Sequence, residues 1–115
     1  MNLPRRRKSP KLGVKEAPQI RCASHLQWIR GHECSVADRR APCDGPIEAA
    51  HVRTGTDGGM GVKPSDCWTI PLCSLHHALQ HTWGEERFEK AHNISMRFIA
   101  ERLWQASPHR RKVEQ

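Results

Sequence analysis

The chain has 115 residues, 37% of them hydrophobic, with two Phe, four Trp and no Tyr; this is one domain's length, and apolar burial alone leaves such a fold marginal, so a staple is expected. No run of 18 apolar residues exists, which excludes a membrane-spanning helix. Nineteen Lys and Arg against twelve Asp and Glu give a formal net charge of +7, and the excess sits at the ends: residues 1–22 carry seven basic groups and one acid, residues 107–115 three and one, the middle nine and ten.

In chain order, residues 1–19 hold Pro4, Pro10 and Pro18 among Arg5, Arg6, Arg7 and Lys8 and read as a disordered basic arm, suited to a polyanion bound through its phosphates. The arm has no apolar stretch that could act as a secretory leader, so a cytoplasmic setting is expected. The five cysteines are odd in number, and in a reducing compartment metal is a better staple than disulfide. "SHLQWIRG" predicts a short helix capped by Ser24, with Leu26, Trp28 and Ile29 on its apolar face and Gly31 closing it. "ECSVADRRAPCDG" reads as a strand and then a turn, and "PIEAAHVRT" as a second strand. "GTDGGMGVKPSD", with four Gly and one Pro in twelve residues, permits only loop. "CWTIPLC" is a short extended run, with Pro71 placed to begin a helix or just precede one. Helices are expected at about 74–82, 85–92 and 95–106, the last burying Ile94, Phe98, Ile99, Arg102 and Leu103 at three-to-four spacing. The expected organisation is arm 1–19, domain 20–107 and basic tail 108–115.

Structural zinc takes four ligands at tetrahedral corners, usually as two locally delivered pairs. Cys34 and Cys43 flank the turn, and Cys73 with His76 forms C-x2-H at a helix start, giving a candidate Cys3His site. Cys22 and Cys67 have no partner at ligand spacing and read as plain thiols. His77 and His81 are four apart and share a helix face, whereas His76 is turned about 100° from His77. Two metals are therefore expected: a structural zinc on the cysteines and His76, and a second divalent ion on His77 and His81, whose open positions suit catalysis. His51, at the end of an apolar strand, is the side chain suited to taking a proton from water near neutral pH.

Strand with His, loop, strand, then Cys73-x2-His76-His77-x3-His81 on a helix resembles the HNH, or ββα-metal, endonucleases. "AAHVRTGTDGGMGVKPSDCWTIPLCSLHHALQH" is especially similar to the small zinc-stapled, prophage-encoded YbcO-like members. The resemblance spans roughly residues 32–92. It implies an α+β fold, a ββα-metal core with added C-terminal helices, with His51 as general base and Asp66 near the middle position of the motif orienting base or loop. His77 and His81 would hold the catalytic Mg2+, Mn2+, Ni2+ or Zn2+, and Cys34, Cys43, Cys73 and His76 the structural Zn2+. Where many HNH enzymes carry a His or Asp ligand just before the base, this chain has Ala50. Glu48, on the same side of a regular strand one pleat away, is the candidate substitute.

The expected activity is hydrolysis of DNA phosphodiester bonds, with Arg53 and Lys63 holding the phosphate through backbone-dominated contacts. Nothing in the sequence fixes an oligomeric state; a dimer is compatible with it. Two rivals stand beside this reading: a non-catalytic zinc module that binds nucleic acid, and a protein adaptor docking through Trp83, Trp104 and the apolar face of 94–103.

Overall fold

The computed structural model describes residues 19–59 and 61–111, so the expected phosphate contacts Arg5, Arg6, Arg7 and Lys8 and the end of the C-terminal tail lie outside the described residues. Cys22 caps helix α1 (Ala23–Arg30) and Gly31 closes it. Ser24 is therefore inside the helix, not its cap, and the residues fully buried on α1 are His25 and Ile29. After an irregular stretch come strand β1 (Ile47–His51), a long loop, strand β2 (Thr69–Cys73), then helices α2 (Ser74–Trp83), α3 (Glu85–His92) and α4 (Met96–Ala106). This is a small α+β fold with four helices and a two-stranded antiparallel sheet pairing Ile47 with Cys73 and His51 with Thr69. Among the described residues no helix is long and apolar enough to cross a membrane.

Every residue of β2 is buried, because α1 and α4 pack on the sheet and α2 runs directly off its end. Ala50, Val52, Ile70 and Leu72 supply the sheet's part of the core, closed by Val36, Phe88, Met96 and Ala100. Pro71 lies inside β2 opposite Ala49, not at a helix start. Its position explains why the strand expected around Cys34–Val36 does not form. A proline has no N–H for a ladder, and along that edge the Pro71 carbonyl accepts from Ser35 N–H at 2.9 Å while Cys73 N–H goes to the Cys34 sulfur at 3.3 Å. With one backbone bond available and the next donor taken by a thiol, the segment docks beside β2 as irregular chain.

The three C-terminal helices follow the expected bounds closely. Gly84, at φ +86°, separates α2 from α3, and Asn93, in the left-handed region at φ +53°, ends α3; both conformations suit those residue types. Ser95 then caps α4 by accepting from Phe98 N–H. Ile94 and Ile99 pack partly buried against the core as expected, but the buried residues of α4 are Met96, Ala100 and Trp104, Arg102 is exposed, and Phe98 is 56% exposed beneath the Arg102 guanidinium. Ser107, the last residue of the expected domain, is buried and its hydroxyl meets His25 Nδ1 at 2.9 Å.

Candidate functional site

Cys73 ends β2 and caps α2, its sulfur accepting His76 N–H at 3.5 Å. That cap fixes the first turn of the helix, so His76 turns back over the cysteines. Its Nδ1 lies 3.2 Å from Cys73 Sγ, 3.5 Å from Cys34 Sγ and 3.7 Å from Cys43 Sγ. A tetrahedral zinc with ordinary Zn–S and Zn–N bonds has S···N edges of about 3.6 Å, so the spacing fits the ion. His76 Nε2 donates to the Ala41 carbonyl at 2.8 Å, which holds Nδ1 as the lone-pair nitrogen facing the sulfurs. Desolvation, with crowding by Cys34 and Cys73, pushes the Cys43 thiol up to about 12: three thiolates do not coexist there without a cation. The four residues, whose ligand atoms all lie within 4.8 Å of one another, can hold a metal such as zinc.

A second group, Asp38, His76 and His92, borders the first. His92 Nε2 donates to Asp38 Oδ2 at 3.1 Å and its Nδ1 meets the Phe88 carbonyl at 2.9 Å. The pair ties α3 to the irregular segment that delivers Cys34 and Cys43.

On the other side of α2, a cleft of about 690 Å³ is lined by His51, Arg53, Lys63, His77, Gln80 and His81 among others. His51 Nε2 donates to Asp66 Oδ1 at 3.0 Å. Burial lowers the His51 pKa, as do Lys63 and Arg21, against the opposing hydrogen bond and charge of Asp66. Asp66 is itself buried, which raises its pKa, but hydrogen bonds from His51 and from Cys22 N–H together with the Arg21 charge outweigh this and hold it below the usual carboxylate value. An ionised carboxylate only accepts, so the neutral His51 carries its proton on Nε2 and keeps its lone pair on Nδ1. His77 and His81 have ring centroids 5.0 Å apart.

Glu48 does not complete that pair. Its Oε1 accepts from His77 Nδ1 at 2.7 Å and its Oε2 from the Ser74 hydroxyl at 2.9 Å, and the His77 bond, ahead of the Ser74 one, lowers its pKa. Among the described residues, neither group of three or more candidate ligands includes Glu48, His77 or His81. Glu48 thus orients His77, in the carboxylate–histidine manner common around metal sites, and the centre expected there has two imidazoles. Ala50, where a further ligand would stand, is fully buried in the core. Arg53 lines the cleft but also works on the loop, its Nη1 donating to the carbonyls of Gly59 at 3.0 Å and Val62 at 2.8 Å.

Three contributors escape a reading by motif. Glu85 accepts from the amides of Arg53 and Thr54, both at 2.8 Å, pinning the chain after β1 to the start of α3. Gln80 is buried between His51 O and Met96 Sδ. Arg21 approaches Asp66 to 3.5 Å. The only sequence cue was for Glu85, an acid in the first turn after a glycine.

Residues 9–107 match the family described as "Protein of unknown function (DUF968)". The chain belongs to the DUF968 family. This DUF968 chain is also 31% identical over 103 residues to the uncharacterized protein YdfU of Escherichia coli K12; the match covers 86% of the chain and 25% of YdfU, so the chain spans about a quarter of that relative's length. No solved structure matches this DUF968 chain.

Proposed function

We propose that this DUF968 chain is a metal-dependent endonuclease of the HNH type that hydrolyses DNA phosphodiester bonds. The observation that carries the reading is a histidine with a defined tautomer, His51 on Asp66, sharing one cleft with His77 and His81 on a strand–loop–strand–helix order. A lowered pKa keeps His51 neutral near pH 7, so Nδ1 accepts a proton from water while Asp66 stabilises the imidazolium that forms. Lys63 and Arg53 are the cleft's candidate phosphate contacts, lining it beside Glu85 and Glu86. His77, aligned by Glu48, and His81 would hold a divalent ion, which when bound supplies charge stabilisation at the phosphate. The cysteine–His76 group would hold a structural zinc.

The test is plasmid nicking with Mg2+, Mn2+ or Ni2+, with metal content measured alongside. His51→Ala should keep zinc and fold and lose at least about a hundredfold in rate. His81→Ala should lose the exchangeable ion and spare the zinc. Glu48→Ala should lose roughly tenfold, the usual cost of removing a ligand's orienting partner. Zinc-loaded parent that cuts single-stranded, double-stranded and branched DNA with none of these ions would overturn the enzyme reading. Salt-dependent DNA retention in that case would favour the non-catalytic binding module, for which the buried Ala50 is the supporting observation.

A further inference from the structure

The residues just ahead of α1 run alongside the loop that precedes β2. Ile20 N–H donates to Ser65 Oγ at 2.8 Å, Asp66 N–H to the Ile20 carbonyl at 2.8 Å, and Cys22 N–H to Asp66 Oδ2 at 2.7 Å. Ser65 is braced from its other side by Asp57, whose carboxylate accepts from both its amide and its hydroxyl. Arg21 is the centre of this seam. Its Nη1 donates to the Pro64 carbonyl at 2.6 Å and reaches Asp66 Oδ1 at 3.5 Å, while Nη2 donates to the Lys63 carbonyl at 3.0 Å.

One guanidinium therefore spans the carbonyls of two consecutive residues and the carboxylate that follows them. A planar fork presents several donors in fixed directions; an ammonium offers three from a single point on a flexible stem, without that fixed spacing. Asp66 is left with Oδ2 on the Cys22 amide and Oδ1 on His51, so its plane is set from the α1 side.

We propose that Arg21 is a positioning residue for His51: by clamping the 63–66 segment and fixing the orientation of the Asp66 carboxylate, it holds the imidazole in the Nε2–H form. The inference rests on reading His51 as the base. Arg21 touches no reacting atom and acts on the ring by fixing Asp66 and the segment that carries it, its own charge adding a smaller direct effect on His51. Lys63, whose carbonyl it also grips, is carried on the same clamped segment. The charged groups acting on His51 are Asp66, Lys63 and Arg21, so removing Arg21 alters both the charge and the geometry around the ring.

The experiment uses full-length, zinc-loaded protein labelled with 15N at histidine. In the parent, the His51 ring should show a protonated-type Nε2 and a lone-pair-type Nδ1. In Arg21→Ala the two shifts should converge as the Nδ1–H form becomes populated, and nicking should fall roughly tenfold with zinc content unchanged. Arg21→Lys, which returns the charge without the fork, should fall between the two. His51 shifts identical to the parent's in Arg21→Ala would overturn the proposal, and a lowered melting midpoint with those shifts unchanged would make Arg21 a structural residue only. If Arg21→Ala does not fold, Arg21→Lys and Arg21→Gln are read the same way, parent-like shifts in both being the overturning result. A parent without nuclease activity would remove the proposed function yet leave the tautomer comparison to decide this one.

Discussion

His25 is a fully buried imidazole set edge-on against Trp104, with Nδ1 on the Ser107 hydroxyl and Nε2 without a partner among the described residues. Burial lowers its pKa from 6.5 to about 4; His109 and His32 add to this and Asp66 opposes it. The unfolded chain therefore binds a proton at this residue between those two values and the folded chain does not. Its contribution to stability is fully present above pH 6.5 and is lost as pH falls toward 4, by at most about 3 kcal/mol. Unfolding by urea across that range should show stability rising with pH in the parent. In His25→Asn, which keeps a polar partner for Ser107 but does not titrate, the curve should be displaced downward and flatter. An equally steep curve in the variant would assign the pH dependence elsewhere, the thiols grouped with His76 being the next groups to examine.

At the level of elements, α4 separates pattern from packing. Sequence spacing favours Phe98 on the buried face, yet Met96, Ala100 and Trp104 are the residues turned inward. The expectation is that Met96→Ala costs about 2–5 kcal/mol through lost burial and a cavity, whereas Phe98→Ala stays within roughly 0.5 kcal/mol; urea midpoints of the zinc-loaded variants measure both. Comparable losses at the two positions would mean that Phe98 is covered in solution. The helices themselves were legible because Gly84, Asn93 and Ser95 punctuate them. The phase of α4 was not, because Ala100 is too small to register as a core residue and Trp104, one position after Leu103, is turned about 100° from it round the helix. The strand expected near Cys34 failed on a non-local fact: Pro71 removes a donor from the edge it would have joined. Histidine spacing on α2 was enough to send His76 and His77 to different sides. What spacing could not give was the partner of each ring, Ala41 O for His76, Glu48 for His77 and Asp66 for His51, since two of these three come from other segments by way of loop geometry and one from strand register.

Across the whole molecule, the group of Cys34, Cys43, Cys73 and His76 joins parts that little else joins. Between Gly31 and Pro46 the chain has no regular element; its end is tied to the start of α2 by Leu75 N–H on Asp44 O and Ser74 N–H on Pro46 O, and the stretch before that is held by Ser35 on Pro71, Asp38 on His92, Ala41 on His76 and the two cysteines. Val36, which that stretch contributes to the core, depends on those anchors. A structural zinc of this kind binds with about 10–16 kcal/mol of apparent free energy, and net stabilities of domains are about 5–15 kcal/mol. The two quantities are of the same size, so loss of the ion should unfold the domain as a whole and not merely loosen one loop. Purified protein should contain one tightly held zinc per chain. A strong chelator should abolish the cooperative thermal transition, and Cys43→Ser and Cys73→Ser should give unfolded or insoluble product. Cys73→Ser should be the more damaging, because that sulfur also caps α2 and is buried at the end of β2, while Cys43 is exposed. A folded, cooperatively melting protein with no bound metal would sink this prediction, and would mean that the three cysteines and His76 serve only to pack.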